Sequence, residues 1–100
     1  MNAMEIVKEI VTYIKDNGGK YFEWYAGIAS DPRQRLFTEH SVKENSDMWI
    51  FAPAINSDTA RATEQHLINA LGTDGGPGGG DYSTRFVYAY KKATHTQERN

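Results

Sequence analysis

The chain contains no cysteine. Disulfides and thiolate metal sites are therefore excluded, and the composition fits a reducing, cytoplasmic compartment. No run of about eighteen apolar residues occurs, so the sequence predicts no membrane span. Basic residues are not in excess, because 11 Lys and Arg against 13 Asp and Glu give a formal net charge of −2. This charge argues against broad, non-specific nucleic-acid binding, although Arg33, Arg35 and Arg61 would form a local cationic cleft if they converge.

Helix and strand patterns alternate along the chain. Apolar residues recur at three- and four-residue steps from Met4 to Ile14, which predicts an amphipathic helix over residues 2–16, capped by Asn2. Apolar alternation and short apolar runs bounded by Gly, Pro or polar residues predict strands. The remaining predicted elements are a strand over residues 20–29, a helix over 32–40, a strand over 48–52, a helix over 59–72 and a strand over 83–91. The helix over 59–72 has its start signal in Asn56-Ser57-Asp58.

This order predicts one α/β domain over residues 1–100, with a small three-stranded sheet flanked by helices. Residues 1–17 form an extra helix, residues 20–91 the core, and residues 92–100 a polar tail that we expect to fray. The apolar run Met48–Ala52 predicts a central strand. The glycine-dense segment that begins at Gly72 is expected to be a wide turn, the alternative being a loop whose backbone amides approach a phosphate.

The predicted strand at residues 20–29 leads through a turn into a helix that carries arginines. Ser30 or Asp31 can cap this helix, and Pro32 fits its first position, where no backbone N–H is needed. Tyr25 and Arg35 are thus joined by a rigid corner that can aim a phenol and a guanidinium at one point. Two-residue periodicity predicts one strand face with Tyr21, Glu23, Tyr25 and Gly27, and the other with Phe22, Trp24, Ala26 and Ile28.

Glu64 lies on the apolar stripe of the last predicted helix, which includes Ala60, Leu67, Ile68 and Leu71. A buried carboxylate without a partner is costly, so Glu64 requires a cation, a hydrogen-bond network or an exit to a cleft. The alternative is a surface pairing with Arg61 or Arg33. His66 and His95 have no metal-ligand spacing with one another, which argues against a zinc site.

Residues 20–72 resemble the second half of the GIY-YIG nuclease signature. Tyr25-Ala26-Gly27 matches the Tyr-x-Gly strand, Arg35 falls at the spacing of the family arginine, and Glu64 is similar to the metal-binding glutamate on the following helix. The family's first strand, which carries Gly-Ile-Tyr, is missing before Tyr25. We therefore expect the C-terminal strand to take the vacant edge beside residues 20–29, so that Tyr88 or Tyr90 replaces the first tyrosine.

The resemblance implies hydrolysis of nucleic-acid phosphodiester bonds, in DNA or RNA, with Mg²⁺ or another divalent cation held by Glu64. Arg35 would neutralise charge on the phosphoryl oxygens, and Tyr25 would orient or deprotonate the attacking water, with a second tyrosine such as Tyr88 assisting. His40 lies five residues after Arg35, where the family has a helper residue at a slightly different spacing. A targeting partner protein or a second copy would supply substrate recognition.

Two other interpretations remain open on the residues alone. The chain could be a catalytically silent module of the same fold that binds nucleic acid, a phosphate ligand or a protein partner. It could also be a structural protein in which Tyr25 is packing and Arg35 is an ordinary solvated residue. The nuclease interpretation requires that the Tyr25 hydroxyl, the Arg35 guanidinium and the Glu64 carboxylate open onto one concave patch.

Overall fold

The computed structural model describes residues 1–76 and 83–98, and its elements follow the predicted order. Helix α1 spans Ala3–Asn17, and helix α2 runs as an α-helix over Pro32–Gln34 and as a wider π-helix over Arg35–Glu39. Helix α3 spans Ser57–His66 and also continues as a π-helix, over Leu67–Leu71. The strands are β1 at Trp24–Ala29, β2 at Trp49–Pro53 and β3 at Phe86–Lys91.

Local sequence signals begin the three helices as predicted. The Asn2 side chain accepts from the backbone N–H of Glu5, and the Glu5 side chain accepts in return from the Asn2 N–H, each at 2.9 Å. Asp31 caps α2 through the Gln34 N–H at 3.1 Å, and Asn56 caps α3 through the Thr59 N–H at 2.8 Å. These bonds satisfy donors that the first helical turn leaves without an intrahelical acceptor.

The sheet is antiparallel with the strand order β1-β3-β2, so two predictions about strand position were wrong. The C-terminal strand β3 does pair with β1, but it is the central strand and not an edge. The apolar run at residues 48–52 was expected in the centre, whereas β2 is an edge strand with half-buried Trp49, Ile50 and Phe51. The first strand also begins at Trp24 and not at residue 20, because Tyr21–Glu23 form a 3₁₀ turn.

The two faces of the sheet are covered by different layers. Helices α1 and α3 pack against the face that carries Trp24, Ala26, Ile28, Val87 and Ala89. The opposite face carries Tyr25 and Ala29 of β1 and Tyr88 and Tyr90 of β3, packed with Leu36 and Val42. The predicted alternation of β1 is therefore confirmed over Trp24–Ala29. No helix among residues 1–76 and 83–98 is both long and apolar enough to cross a membrane.

Helix α1 buries a narrower stripe than its apolar residues suggest. Ile6, Ile10 and Ile14, at successive four-residue steps, are 0–2% exposed, whereas Met4 is 82% exposed. The prediction that Met4 belongs to the packed face is wrong, because Ile6 takes that position and α1 buries one side only.

We expect Ile10→Ala to lower the free energy of unfolding by about 2–5 kcal/mol, because it leaves a cavity between α1 and the sheet. Met4→Ala is the matched control on the same helix, and its effect should stay within about 0.5 kcal/mol. Urea denaturation followed by circular dichroism measures both values. Equal losses for the two variants would contradict the packing described here.

Candidate active site

Tyr88 lies at the centre of a buried polar cluster on the β1/β3 face. Its hydroxyl is 2.6 Å from His40 Nε2, and Arg35 donates a hydrogen bond to the same phenol. Tyr88 and His40 are 1% and 0% exposed. The tyrosine stands opposite Gly27 in the strand register, and a Cβ at Gly27 would lie under 3.0 Å from its ring and hydroxyl. The glycine of the Tyr-x-Gly strand therefore provides the space that Tyr88 fills.

His40 owes its position to the π-turn that ends α2. The backbone N–H of His40 donates to the Arg35 carbonyl at 2.9 Å, a bond across five residues. A π-turn brings residues five positions apart onto the same side of the helix, so the side chains of Arg35 and His40 project next to each other. Burial, followed by the charge of Arg35, lowers the pKa of His40 against the effect of its hydrogen bond with Gln97. The imidazole is therefore neutral at pH 7.

Tyr25 is 3% exposed and its ring stacks on that of Tyr90, with 5.4 Å between the centroids. Burial and the Asp74 carboxylate raise its pKa, although the Gly76 backbone N–H and Arg35 act in the opposite direction. A phenol with a raised pKa does not serve as a base at neutral pH. The structure therefore argues against the predicted deprotonation of water by Tyr25.

Glu64 reaches this cluster from the other layer of the fold. It is 4% exposed on α3, which packs on the opposite face of the sheet, yet its carboxylate contributes to the raised pKa values of Tyr25 and Tyr88. Burial raises the pKa of Glu64 to about 7, against the lowering effect of Arg61 and Arg35. The carboxylate therefore lies within electrostatic range of both phenols and Arg35. That they open onto one concave patch stays a prediction.

The three arginines do not share one role. Arg35 is held by Glu39, with Nε to Oε1 at 3.3 Å, and its side chain keeps 31% exposure beside Tyr88. Arg33 instead pairs with Glu44 at 2.8 Å and lies 5.8 Å from the ring centroids of three aromatic residues. These rings belong to Phe37, Trp49 and Phe51. The predicted convergence is therefore limited to Arg35 and Arg61, the two arginines that act on Glu64.

Sequence reasoning missed two segments of the cluster. Asp74 pairs with β1 through Trp24 and Ala26, at 2.8 and 2.9 Å, and brings the Gly76 amide to the Tyr25 phenol. The rest of the glycine-dense segment, residues 77–82, lies outside the described residues. The tail over residues 92–100 was expected to fray, but residues 93–98 are docked, with the Gln97 carbonyl 2.5 Å from His40 Nδ1. Backbone contacts of this kind leave no signal in side-chain patterns.

The donor set fits a hard cation better than a zinc ion. Mg²⁺ takes oxygen ligands and usually retains several waters, with one or two carboxylates from the protein. Glu64 provides one such carboxylate, and a bound cation would favour its charged form, which burial disfavours. No group of three or more His, Cys, Asp or Glu residues suited to a metal occurs in the described part of the chain.

Comparisons with protein-family models, with curated proteins and with solved structures find no match to this chain.

Gly27→Ala tests the close approach of Tyr88. The added methyl group overlaps the phenol, so we expect a loss of about 1–3 kcal/mol in the free energy of unfolding. The same substitution in a Tyr88→Ala background should cost much less, because the overlapping ring is gone. Denaturation of the four proteins of this double-mutant cycle measures the coupling. Additive effects would show that the two residues do not compete for one space.

Glu64→Gln tests the desolvated carboxyl through pH. The unfolded state releases the Glu64 proton near 4.5 and the folded state near 7, so the folded wild type loses stability as the pH rises between these values. Relative to wild type, the variant should gain up to about 3 kcal/mol in unfolding free energy from about pH 5 to about pH 8. Urea denaturation at both pH values measures this change. The exposed Glu9→Gln serves as the control, and a flat difference for Glu64→Gln would contradict the raised pKa.

Proposed function

We propose that this chain is a Mg²⁺-dependent endonuclease domain of the GIY-YIG type, with its first tyrosine strand moved to the C-terminus. One observation carries the proposal: Tyr88 of β3 hydrogen-bonds His40 and Arg35 beside Tyr25, and the Glu64 carboxylate is one of the charges that raise the pKa of Tyr88. The sequence resemblance singles out the same five residues, and their contribution by β1, α2, α3 and β3 supports the proposal.

The strand order supports the permuted arrangement. In the GIY-YIG family, the strand with the first tyrosine forms a hairpin with the Tyr-x-Gly strand. Here β3 pairs antiparallel with β1 and sets Tyr88 opposite Gly27. Tyr90, the other candidate, is instead bound to Glu98 at 2.9 Å and stacked on Tyr25. Tyr88 is therefore the better counterpart of the family's first tyrosine.

The proton path in this proposal begins at Tyr88. Neutral His40 donates from Nδ1 to the Gln97 carbonyl, so its Nε2 accepts from the Tyr88 hydroxyl. Tyr88 can take a proton from the attacking water as it passes its own to Nε2, which makes the imidazole the final base. This route does not require an ionised phenol, whose formation burial opposes because it raises the pKa of Tyr88. Tyr25 orients the water from the adjacent strand.

In this proposal, Arg35 and, through a bound cation, Glu64 stabilise the negative charge that develops on the phosphate during the reaction. Arg35 is partly exposed and fixed by Glu39, so its guanidinium can meet the phosphoryl oxygens without a large rearrangement. Glu64 would hold the Mg²⁺ ion, which would supply Lewis-acid stabilisation of the leaving oxygen and the scissile phosphate. The carboxylate form of Glu64 is the one that binds a cation, so cation binding would compete with the protonation that burial favours.

The alternative is a non-catalytic module that uses the same cluster to bind a phosphate-containing ligand. The near-complete burial of Tyr25, Tyr88 and His40 argues against turnover, because a reacting phosphate must reach these groups, whereas a bound ligand needs only the partly exposed Arg35. A nicking assay separates turnover from binding.

Plasmid nicking with Mg²⁺ tests the proposal. We expect wild-type cutting to fall by about 100-fold or more in Glu64→Ala and in Arg35→Ala, which remove charge stabilisation of the transition state. Arg33→Ala is the matched control, since this arginine lies on the same helix but pairs with Glu44. Its activity should stay close to wild type.

The assay includes single- and double-stranded DNA and RNA. Absence of Mg²⁺-dependent cutting with all of these substrates would reject the nuclease proposal, as would cutting that survives both substitutions. A thermal shift with nucleic acid or inorganic phosphate, without turnover, would instead favour the binding module.

A further inference from the structure

The segment after β3 folds back over α2 and is held by its own turn. The Thr96 hydroxyl accepts from the Ala93 N–H at 3.0 Å and donates to the Ala93 carbonyl at 2.9 Å, and Thr96 is 7% exposed. His95 Nε2 lies 2.5 Å from Asp47 Oδ2, which ties the turn to the loop before β2. These contacts therefore fix the positions of Gln97 and Glu98, which follow the turn.

Both backbone groups of Gln97 contact His40. The Gln97 N–H donates to the His40 carbonyl at 2.8 Å, and the Gln97 carbonyl lies 2.5 Å from His40 Nδ1. A carbonyl oxygen can only accept, so this contact is favourable when Nδ1 carries a proton. The Tyr90 hydroxyl, 3.1 Å from the same nitrogen, donates to Glu98 at 2.9 Å. Neither neighbour of Nδ1 therefore offers it a proton.

We infer that residues 93–98 are a positioning element of the active site: the Gln97 carbonyl fixes His40 as the Nδ1–H tautomer and so keeps Nε2 open to the Tyr88 proton. Gln97 touches no reacting atom and acts through His40. In the other tautomer, the Nδ1 lone pair would face the Gln97 carbonyl oxygen, and Nε2–H would donate to Tyr88 and could not take its proton. The catalytic consequence rests on the proposed nuclease function, whereas the tautomer itself does not.

The tautomer is measured directly by long-range ¹H–¹⁵N correlation spectra of the imidazole rings in the full ¹⁵N-labelled chain. The sequence has three histidines, and the signals of His40 are identified by their loss in His40→Gln. We expect wild type to show a neutral ring protonated at Nδ1. A ring protonated at Nε2 in wild type would overturn the inference without any variant.

Two pairs of variants then test the role of the tail. Gln97→Pro removes the N–H that donates to His40, whereas Gln97→Ala keeps both backbone groups. Thr96→Val removes the hydroxyl that closes the turn, whereas Thr96→Ser keeps it. We expect a mixture of tautomers in the first member of each pair and the wild-type spectrum in the second.

Circular dichroism identifies which variants fold. If Gln97→Pro does not fold, the two Thr96 variants alone test the role of the tail. A folded Thr96→Val or Gln97→Pro protein with an unchanged Nδ1–H tautomer would contradict the inference. If the chain cuts nucleic acid, Thr96→Val should also lower kcat by about tenfold or more at unchanged KM, because general-base transfer is impaired. If His40 is found entirely as the Nδ1–H tautomer but the chain cleaves no nucleic acid, the nuclease proposal is rejected. The inference that residues 93–98 position His40 is then still supported.

Discussion

The candidate site depends on the close approach of the Tyr88 phenol to the backbone of Gly27. An antiparallel register that sets Tyr88 opposite a residue without a Cβ lets its ring lie across the neighbouring strand. From that position the Tyr88 hydroxyl forms hydrogen bonds with both His40 and Arg35. Had the register slipped by one residue, Tyr88 would point into the layer of α1 and α3 and the cluster would not form.

Burial is the second constraint, because desolvation is the largest cause of the shifted pKa in every member of the cluster that shows a shift. It opposes ionisation of Tyr25, Tyr88 and Glu64 and keeps His40 neutral. Buried polar groups require partners, and the fold recruits them from the π-turn, from Gly76 and from the tail. Titratable groups with shifted pKa values that face one another are the pattern that functional sites show.

The sequence predicted what local rules determine. Asn2, Asp31 and Asn56 begin their helices through contacts within three residues, and the two-residue alternation placed Tyr25 and Trp24 on opposite faces. Strand order was mispredicted, because the pairing of β3 with both neighbours depends on residues far apart in the chain. The docking of Gln97 on His40 uses backbone atoms, which every residue has, so no side-chain pattern could reveal it.

The most direct test of the account is a crystal structure of the chain soaked in Mn²⁺, which substitutes for Mg²⁺ and is located by its anomalous scattering. We predict one ion bound to the Glu64 carboxylate, on the side that faces the Tyr25 and Tyr88 hydroxyls and Arg35. An ion bound elsewhere while Glu64 stays unliganded, or a Glu64 carboxylate turned away from both phenols, would contradict it.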